Sequence, residues 1–171
     1  MIISPEKPED IAAIRSLNEL AFGRPQEAKI VDNLRNNCAG LLSLVAVVSD
    51  KIVGHILFSP AVIEGQHGTL KGMGLAPMAV LPGMQRQGIG AQLVRKGIEN
   101  LKTTHCPFII VLGHARYYPR FGFEKASLYG VKCQWEGVPD EAFMICWLER
   151  STMPPVSGFA KYRKEFEDAV D

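Results

Sequence analysis

The sequence predicts an α/β fold, of the α+β type, whose central sheet is mostly antiparallel and flanked by helices. Two apolar, β-branched runs, "LLSLVAVVS" and "IVGHILFSPAVI", flank the polar dipeptide "DK", a pattern typical of an antiparallel hairpin. An apolar strand at 75–82 leads through a glycine turn into an amphipathic helix. The run "PFIIVLG" then predicts a buried strand beside the preceding one, which adds one parallel step around the helix.

The N-terminal part of the chain predicts a short strand and two helices. Met1 to Ile3 form the first apolar run, and helical spacing follows the acidic segment "PED", which suits a helix N-terminus. The motif "GRP" at 23–25 interrupts this helix, and Pro25 is placed to open a second one. The apolar positions are Ile11, Ile14, Leu17 and Leu20 in the first helix and Ile30, Val31 and Leu34 in the second.

Downstream of the hairpin, "EGQHGTLKG" predicts a second turn, and the strand after it holds Pro77, with Pro82 at its end. Proline lacks the N–H needed for full pairing on both sides, so one neighbouring strand must separate from this one. The segment "HARYYPRFGF" predicts a short helical turn broken by Pro119, and "EAFMICWLE" predicts the final strand. The helix after the glycine turn has an apolar stripe that consists of Ile89, Leu93, Val94, Ile98 and Leu101.

Length and composition limit the function classes. A chain of 171 residues with 47% hydrophobic and 22% charged residues predicts one globular domain over 1–171, with 150–171 as its C-terminal extension. Lys+Arg 19 against Asp+Glu 18 leaves no uniform basic field, which argues against nucleic acid or a membrane surface as the partner. The expected partner is therefore small, and the absence of a long apolar run or a secretory signal predicts a cytoplasmic location.

The four cysteines predict neither zinc binding nor a disulfide framework, because they form no C-x-x-C pair and lie in apolar stretches. We therefore expect reduced packing residues and no metal. They are Cys38, Cys106, Cys133 and Cys146.

The glycine turn "QRQGIG" suits an anion. Gly88 and Gly90 let the backbone fold tightly where the helix begins, which exposes unpaired N–H groups at the positive end of the helix dipole. Arg86 adds a full charge. The same turn is also compatible with a plain strand-to-helix connection. It is neither a P-loop, which needs lysine and Ser/Thr after its last glycine, nor a dinucleotide fingerprint, whose third glycine is replaced by Leu93.

This segment resembles the signature of the GNAT superfamily of acyl-CoA-dependent N-acetyltransferases, Q/R-x-x-G-x-G/A after a strand ending in V-x-P. Residues 85–90 match it behind the "VLP" of 80–82, and "YPRFGF" supplies the family's tyrosine before a Gly-Phe pair, as Tyr118, Gly122 and Phe123. "EAK" at 27–29, "FSP" at 58–60 and "VPDEAF" at 138–143 further resemble the YhbS-like branch.

The resemblance implies acetyl-CoA as cosubstrate, held in a V-shaped gap where the fourth and fifth strands splay. Its pantetheine arm would pair with the fourth strand, and backbone amides of the glycine turn would hold its pyrophosphate. The implied strand contacts are Met78, Ala79 and Val80, and the implied turn contacts are Arg86, Gln87, Gly88, Ile89, Gly90 and Ala91.

The reaction implied is direct attack by a primary amine, of a small metabolite or of a peptide or protein, on the thioester. Tyr118 would supply a proton to the departing thiolate; its alternative role is a packed aromatic residue. Neither "GLAPMAV" nor "PFIIVLG" contains the carboxylate that many relatives use as base, so Glu27 is the first candidate, followed by His55, His114 and water. A homodimer is common among relatives, and a non-catalytic acyl-CoA-binding module is the alternative function.

Overall fold

The structure is a computed structural model that describes residues 1–149 and 156–169, without the side chains of 168 and 169. The helices are α1 (Ile11–Phe22), α2 (Gln26–Asn37) and α3 (Ile89–Thr103). The strands are β1 (Ile2–Pro5), β2 (Leu42–Val48), β3 (Lys51–Gly65), β4 (Gly68–Val80), β5 (Phe108–Leu112), β6 (Glu124–Lys125), β7 (Val131–Cys133), β8 (Phe143–Trp147) and β9 (Gly158–Lys161). Short 3-10 segments cover Pro8–Asp10, Pro82–Met84, Tyr118–Phe121, Ala126–Tyr129, Asp140–Ala142 and Lys164–Ala169.

The chain divides into two compact units. The first comprises Met1–Ser59, Ala76–Glu99 and Lys164–Asp171, and the second comprises Pro60–Leu75 and Asn100–Arg163. The expectation of a single domain over 1–171 stays a prediction.

The first unit contains α1, α2, most of α3, the strands β1 and β2, the part of β3 up to Ser59 and the part of β4 from Ala76. The β1–β2 register pairs Ile2 with Val47, and the β2–β3 register pairs Val45 with His55. Helix α1 packs on α2, and the 3-10 segment Lys164–Ala169 packs on α2 as well. The buried core of the first unit includes Ile14, Leu17, Leu34, Leu44, Ile56, Phe58, Leu93 and Val94.

The second unit contains the parallel step that the sequence predicts. Strand β4 pairs with β5 in parallel from Met73↔Ile109 to Leu75↔Val111, and β5 pairs antiparallel with β8. A second parallel pair, which the sequence did not indicate, joins β7 to β9, while β9 runs antiparallel to β3. The core of this unit includes Ile63, Phe108, Ile110, Phe123 and Ile145.

Two predicted boundaries are wrong because strand pairing overrides local composition. The first strand is Ile2–Pro5 rather than 1–3, since its ladder with β2 continues to Pro5↔Leu44. The second turn is much shorter than "EGQHGTLKG", because β3 extends to Gly65 and β4 begins at Gly68.

Two further predictions need correction. Pro119 does not break the helical turn; it lies in the first turn of Tyr118–Phe121, where its missing N–H removes no intrahelical hydrogen bond. The run 141–149 is not the final strand, because β9 follows it inside the C-terminal extension. A strand of four residues next to a charged tail has no composition that marks it; its pairing with β3 and β7 defines it.

Candidate active site

The glycine turn has a backbone shape suited to an anion. Arg86 (φ 61°) and Gly88 (φ 83°) both adopt left-handed conformations and are both exposed. Left-handed residues within a turn direct successive N–H groups into one concavity, which is the geometry of an anion-binding nest. Two side chains support this loop, since Gln85 Nε2 donates to Val80 O at 3.1 Å and Gln87 Nε2 donates to Gly83 O at 3.4 Å.

Helix α3 sits close to β3 immediately after the turn. A Cβ at Gly54 would lie 2.9 Å from Ile89 Cγ2 and 3.0 Å from Leu93 Cδ1, so a side chain here would force these two residues to shift. One face of the helix is therefore buried, and its N-terminal amides follow directly on the exposed turn. The packing fixes the helix start where the sequence predicts an anion site.

The predicted cofactor contacts on β4 follow the last residue that pairs with β5. That pairing reaches Leu75↔Val111, whereas β4 continues to Val80. Ala79 is buried and Met78 and Val80 are half-buried, the alternation expected for a strand. Just beyond the strand, Leu81 N–H donates to Val53 O at 2.9 Å, which ties this end of β4 to β3.

Tyr118 lies in the second unit at the start of a 3-10 turn and is only 7% exposed. Its ring makes edge contacts with Tyr117 and Phe123, at centroid distances of 5.1 and 5.5 Å. A Cβ at Gly113 would lie 2.4 Å from its Cε2, so the backbone after β5 passes directly under the ring. Burial, with a smaller contribution from Tyr117, raises the pKa of Tyr118, which keeps the phenol protonated.

Glu27 lies in the first turn of α2 and is 9% exposed. Arg24 Nε donates to both of its carboxylate oxygens at 3.1 Å, so the carboxylate forms an ion pair in this structure. The Arg24 side chain is 51% exposed and can move into solvent. The other candidate bases differ in setting: His114 is exposed, and His55 is fully buried.

His55 belongs to a hydrogen-bonded chain that sequence analysis did not detect. Asn18 Nδ2 donates to His55 Nδ1 at 3.2 Å, His55 Nε2 contacts Ser43 Oγ at 2.9 Å, and Ser43 Oγ donates to Glu6. Because the amide end donates and the carboxylate end accepts, the imidazole is neutral with its proton on Nε2. This favours a structural role over that of a base.

Glu6 completes this chain as an ion pair with Arg35, whose Nε donates to it at 2.7 Å. Burial alone would raise the pKa of Glu6, but hydrogen bonds from Arg35 and Ser43 and the charge of Arg35 lower it. These residues come from separate elements, and no motif in the sequence connects them.

We expect acid to destabilise the protein through His55. Burial lowers its pKa from 6.5 to about 4, so below pH 6.5 the unfolded chain binds a proton that the folded chain does not. Stability from this group is therefore complete above pH 6.5 and falls as the pH drops towards 4, by about 2 kcal/mol at pH 5. Urea unfolding at pH 7.5 and pH 5 measures it, with His55→Gln as the matched variant. The variant should lose about 2 kcal/mol less between the two pH values; equal losses would contradict the assignment.

Within the described part of the chain, no helix has the length and apolar character needed to cross a membrane. The described residues also contain no group of three or more His, Cys, Asp or Glu side chains arranged to hold a metal ion.

The model of the acetyltransferase (GNAT) domain family matches residues 3–126. The chain belongs to the GNAT acetyltransferase family. It is 33% identical to the uncharacterized N-acetyltransferase YhbS of Escherichia coli K12 over 97% of this chain and 98% of that protein. It is also 40% identical to the uncharacterized N-acetyltransferase YjhQ of the same strain, over 83% of this chain and 79% of the relative.

Solved GNAT structures agree with the fold. The crystal structure of Escherichia coli YhbS in complex with CoA superposes with a TM-score of 0.89 at 32% identity, covering 97% of this chain and 91% of that one. A GNAT acetyltransferase from Brucella melitensis in complex with acetyl-CoA has a TM-score of 0.77 at 32% identity, covering 96% and 97%. The predicted family and the predicted fold class are confirmed, and the chain is an N-acetyltransferase.

Proposed function

We propose that this protein transfers the acetyl group of acetyl-CoA to a primary amine of a small metabolite or of a peptide or protein. The observation that supports this most is the exposed turn at the start of α3, with left-handed conformations at Arg86 and Gly88. The relatives solved with CoA and acetyl-CoA support the same choice of cosubstrate. A cytoplasmic location and a homodimer stay predictions.

The cosubstrate would contact two segments. Backbone amides of Arg86, Gln87, Gly88, Ile89, Gly90 and Ala91 would hold the pyrophosphate, assisted by the helix dipole and the guanidinium of Arg86. Backbone groups of Met78, Ala79 and Val80 would pair with the amides of the pantetheine arm as an added strand would. No side chain of these three residues needs to contact the arm.

The chemistry would be direct acyl transfer. The amine nitrogen attacks the thioester carbonyl, a backbone N–H of β4 polarises the carbonyl oxygen, the C–S bond breaks, and the amine loses one proton. Tyr118 would give its phenolic proton to the departing thiolate, and the proton lost by the amine would later restore it. A buried phenol with a raised pKa is protonated when the thiolate forms, which suits it to this role.

The attacking amine needs a base. An amine with a pKa near 10.4 is mostly protonated at pH 7, and forming its neutral, nucleophilic state costs about 4.6 kcal/mol. We propose that Glu27 accepts the proton of the amine once the Arg24 side chain has moved away from the carboxylate. An ion pair with a half-exposed arginine is weak, so this movement costs little. Water is the alternative acceptor.

The alternative that the sequence leaves open is a module that binds acyl-CoA. The segments 74–80 and 107–113 contain no carboxylate, which is compatible with an acyl-CoA-binding module that does not catalyse transfer. Measuring turnover distinguishes the two functions. A binding module would bind acetyl-CoA but would release no CoA thiol with any amine of a broad panel.

We expect acetyl-CoA to raise the melting temperature. At about 100 times its dissociation constant it should stabilise the fold by about 2.7 kcal/mol, a rise of about 5 to 10 °C. Gly88→Val should reduce this rise, because a β-branched residue disfavours φ 83° although the space around the Cβ is open. Differential scanning fluorimetry measures both.

Gly83→Val is the matched control, since its Cβ also enters open space but its backbone is not left-handed. It should keep the full acetyl-CoA shift. ATP and NAD should produce no comparable shift. No rise with millimolar acetyl-CoA in the wild type would contradict the proposed cosubstrate.

A further inference from the structure

Tyr162, in the C-terminal extension between β9 and the last 3-10 segment, places its hydroxyl where β4 and β5 stop pairing. The hydroxyl lies 3.3 Å from Ile110 O and 3.4 Å from Leu75 O. The backbone of Leu112 also hydrogen-bonds to it. Because Gly113 N–H donates to Ala142 O on the β8 side, the N–H of Leu112 faces the opposite, β4 side and is the donor.

This hydroxyl lies at the end of the β4–β5 ladder, among polar backbone groups of both strands. Leu75 pairs with Val111, so the N–H of Leu112 is the donor that would continue the ladder towards β4. Instead that N–H donates to the phenol oxygen, which donates its own proton to a carbonyl of the two strands. A side-chain hydroxyl thus stands where a direct inter-strand bond would otherwise form.

The ring of Tyr162 is held firmly in this place and is 7% exposed. A Cβ at Gly74 would lie 2.5 Å from its Cε1, so the absence of a side chain on β4 makes the room for the ring. Trp135 stacks on it at 5.6 Å with an interplanar angle of 23°, and the Tyr162 N–H donates to Gln134 Oε1 at 2.6 Å. Burial also raises the pKa of the phenol, which keeps it a donor.

We propose that Tyr162 is a positioning residue that ends β4–β5 pairing at Leu75, so that the pantetheine arm pairs with Met78 to Val80. This inference rests on the proposed function, because it assigns the arm of acetyl-CoA to β4. Tyr162 lies in the C-terminal extension, outside both signature motifs. Tyr162 contacts no reacting atom in this role.

The test compares acetyl-CoA with 3′-phospho-ADP, the part of the cosubstrate that lacks the arm. Tyr162→Phe removes only the hydroxyl and keeps the ring against Gly74 and Trp135. Isothermal titration should show acetyl-CoA binding weakened by about tenfold, since a buried hydrogen-bonding group loses its partner. The affinity for 3′-phospho-ADP should be unchanged, and in turnover KM for acetyl-CoA should rise more than kcat falls.

Tyr129→Phe is the matched control, because it removes a hydroxyl that hydrogen-bonds to Glu124 rather than to β4 or β5. It should leave both affinities unchanged. Equal acetyl-CoA affinity in Tyr162→Phe and wild type would overturn the inference, and so would an equal loss for both ligands, which indicates a general structural defect. Wild type that binds neither ligand would overturn the proposed function itself, and the inference with it.

Discussion

Tyr118→Phe should lower kcat by about 100-fold or more, while the dissociation constant for acetyl-CoA stays nearly unchanged. The substitution removes only the phenolic hydroxyl, and the ring keeps its edge contacts with Tyr117 and Phe123. Because the expelled thiolate then has no acid, the loss falls on the chemical step rather than on binding. Release of free CoA thiol with a reactive amine measures kcat, and isothermal titration measures affinity.

The adjacent tyrosine is the matched control for Tyr118. Tyr117→Phe removes a hydroxyl from a half-buried ring beside it and should change kcat by less than about threefold. If Tyr118→Phe turned over as fast as the wild type, Tyr118 would be a packed aromatic residue and not the acid. If Tyr117→Phe were the slow variant instead, the acid would be the neighbouring residue.

Phe58→Ala should destabilise the fold by about 3 to 5 kcal/mol, because it empties a fully buried aromatic site. Gly97→Ala should cost about 1 to 3 kcal/mol for the opposite reason, overpacking. Its Cβ would lie 2.3 Å from two atoms of the Phe58 ring, so α3 can rest on β3 here only without a side chain. Urea unfolding monitored by circular dichroism measures both.

The double variant Phe58→Ala with Gly97→Ala tests whether the two residues act on one contact. Its destabilisation should be smaller than the sum of the single effects by about 1 kcal/mol, because the new methyl group enters the space that the ring leaves. Strict additivity would contradict the direct packing of Gly97 on Phe58. Phe159→Ala, which removes an exposed ring, should cost less than about 0.5 kcal/mol.

Two parts of the candidate site could be predicted from sequence because they are local. The conformation of "QRQGIG" depends on glycine at position 88, and α3 begins at the next residue. The turn and the start of the helix therefore lie within one segment of six residues. "YPRFGF" is similar, since Gly122, at φ 91°, ends the short turn that starts at Tyr118. Short-range backbone preferences decide such segments, and they are the same in any fold.

Other features depend on register, which local composition does not specify. The chain from Asn18 through His55 and Ser43 to Glu6 exists because β2 pairs with β3 in one register and α1 lies next to them. A one-residue shift of that pairing would turn His55 to the other face of the sheet. The sequence shows His55 as a candidate base, yet only its partners in the fold show that it is neutral and hydrogen-bonded.

By itself, the sequence determined the family, the order of the helices and sheet strands around the glycine turn, and the residues proposed to contact acetyl-CoA. The tertiary structure alone decided the strand β9, the ion pair that occupies Glu27, and the place of Tyr162 at the end of the β4–β5 ladder. The physical reason is the separation of the interacting residues along the chain, because turn conformation and apolar periodicity arise from residues that are close in sequence. A hydrogen bond from Tyr162 to Leu75 arises only when distant segments pack together.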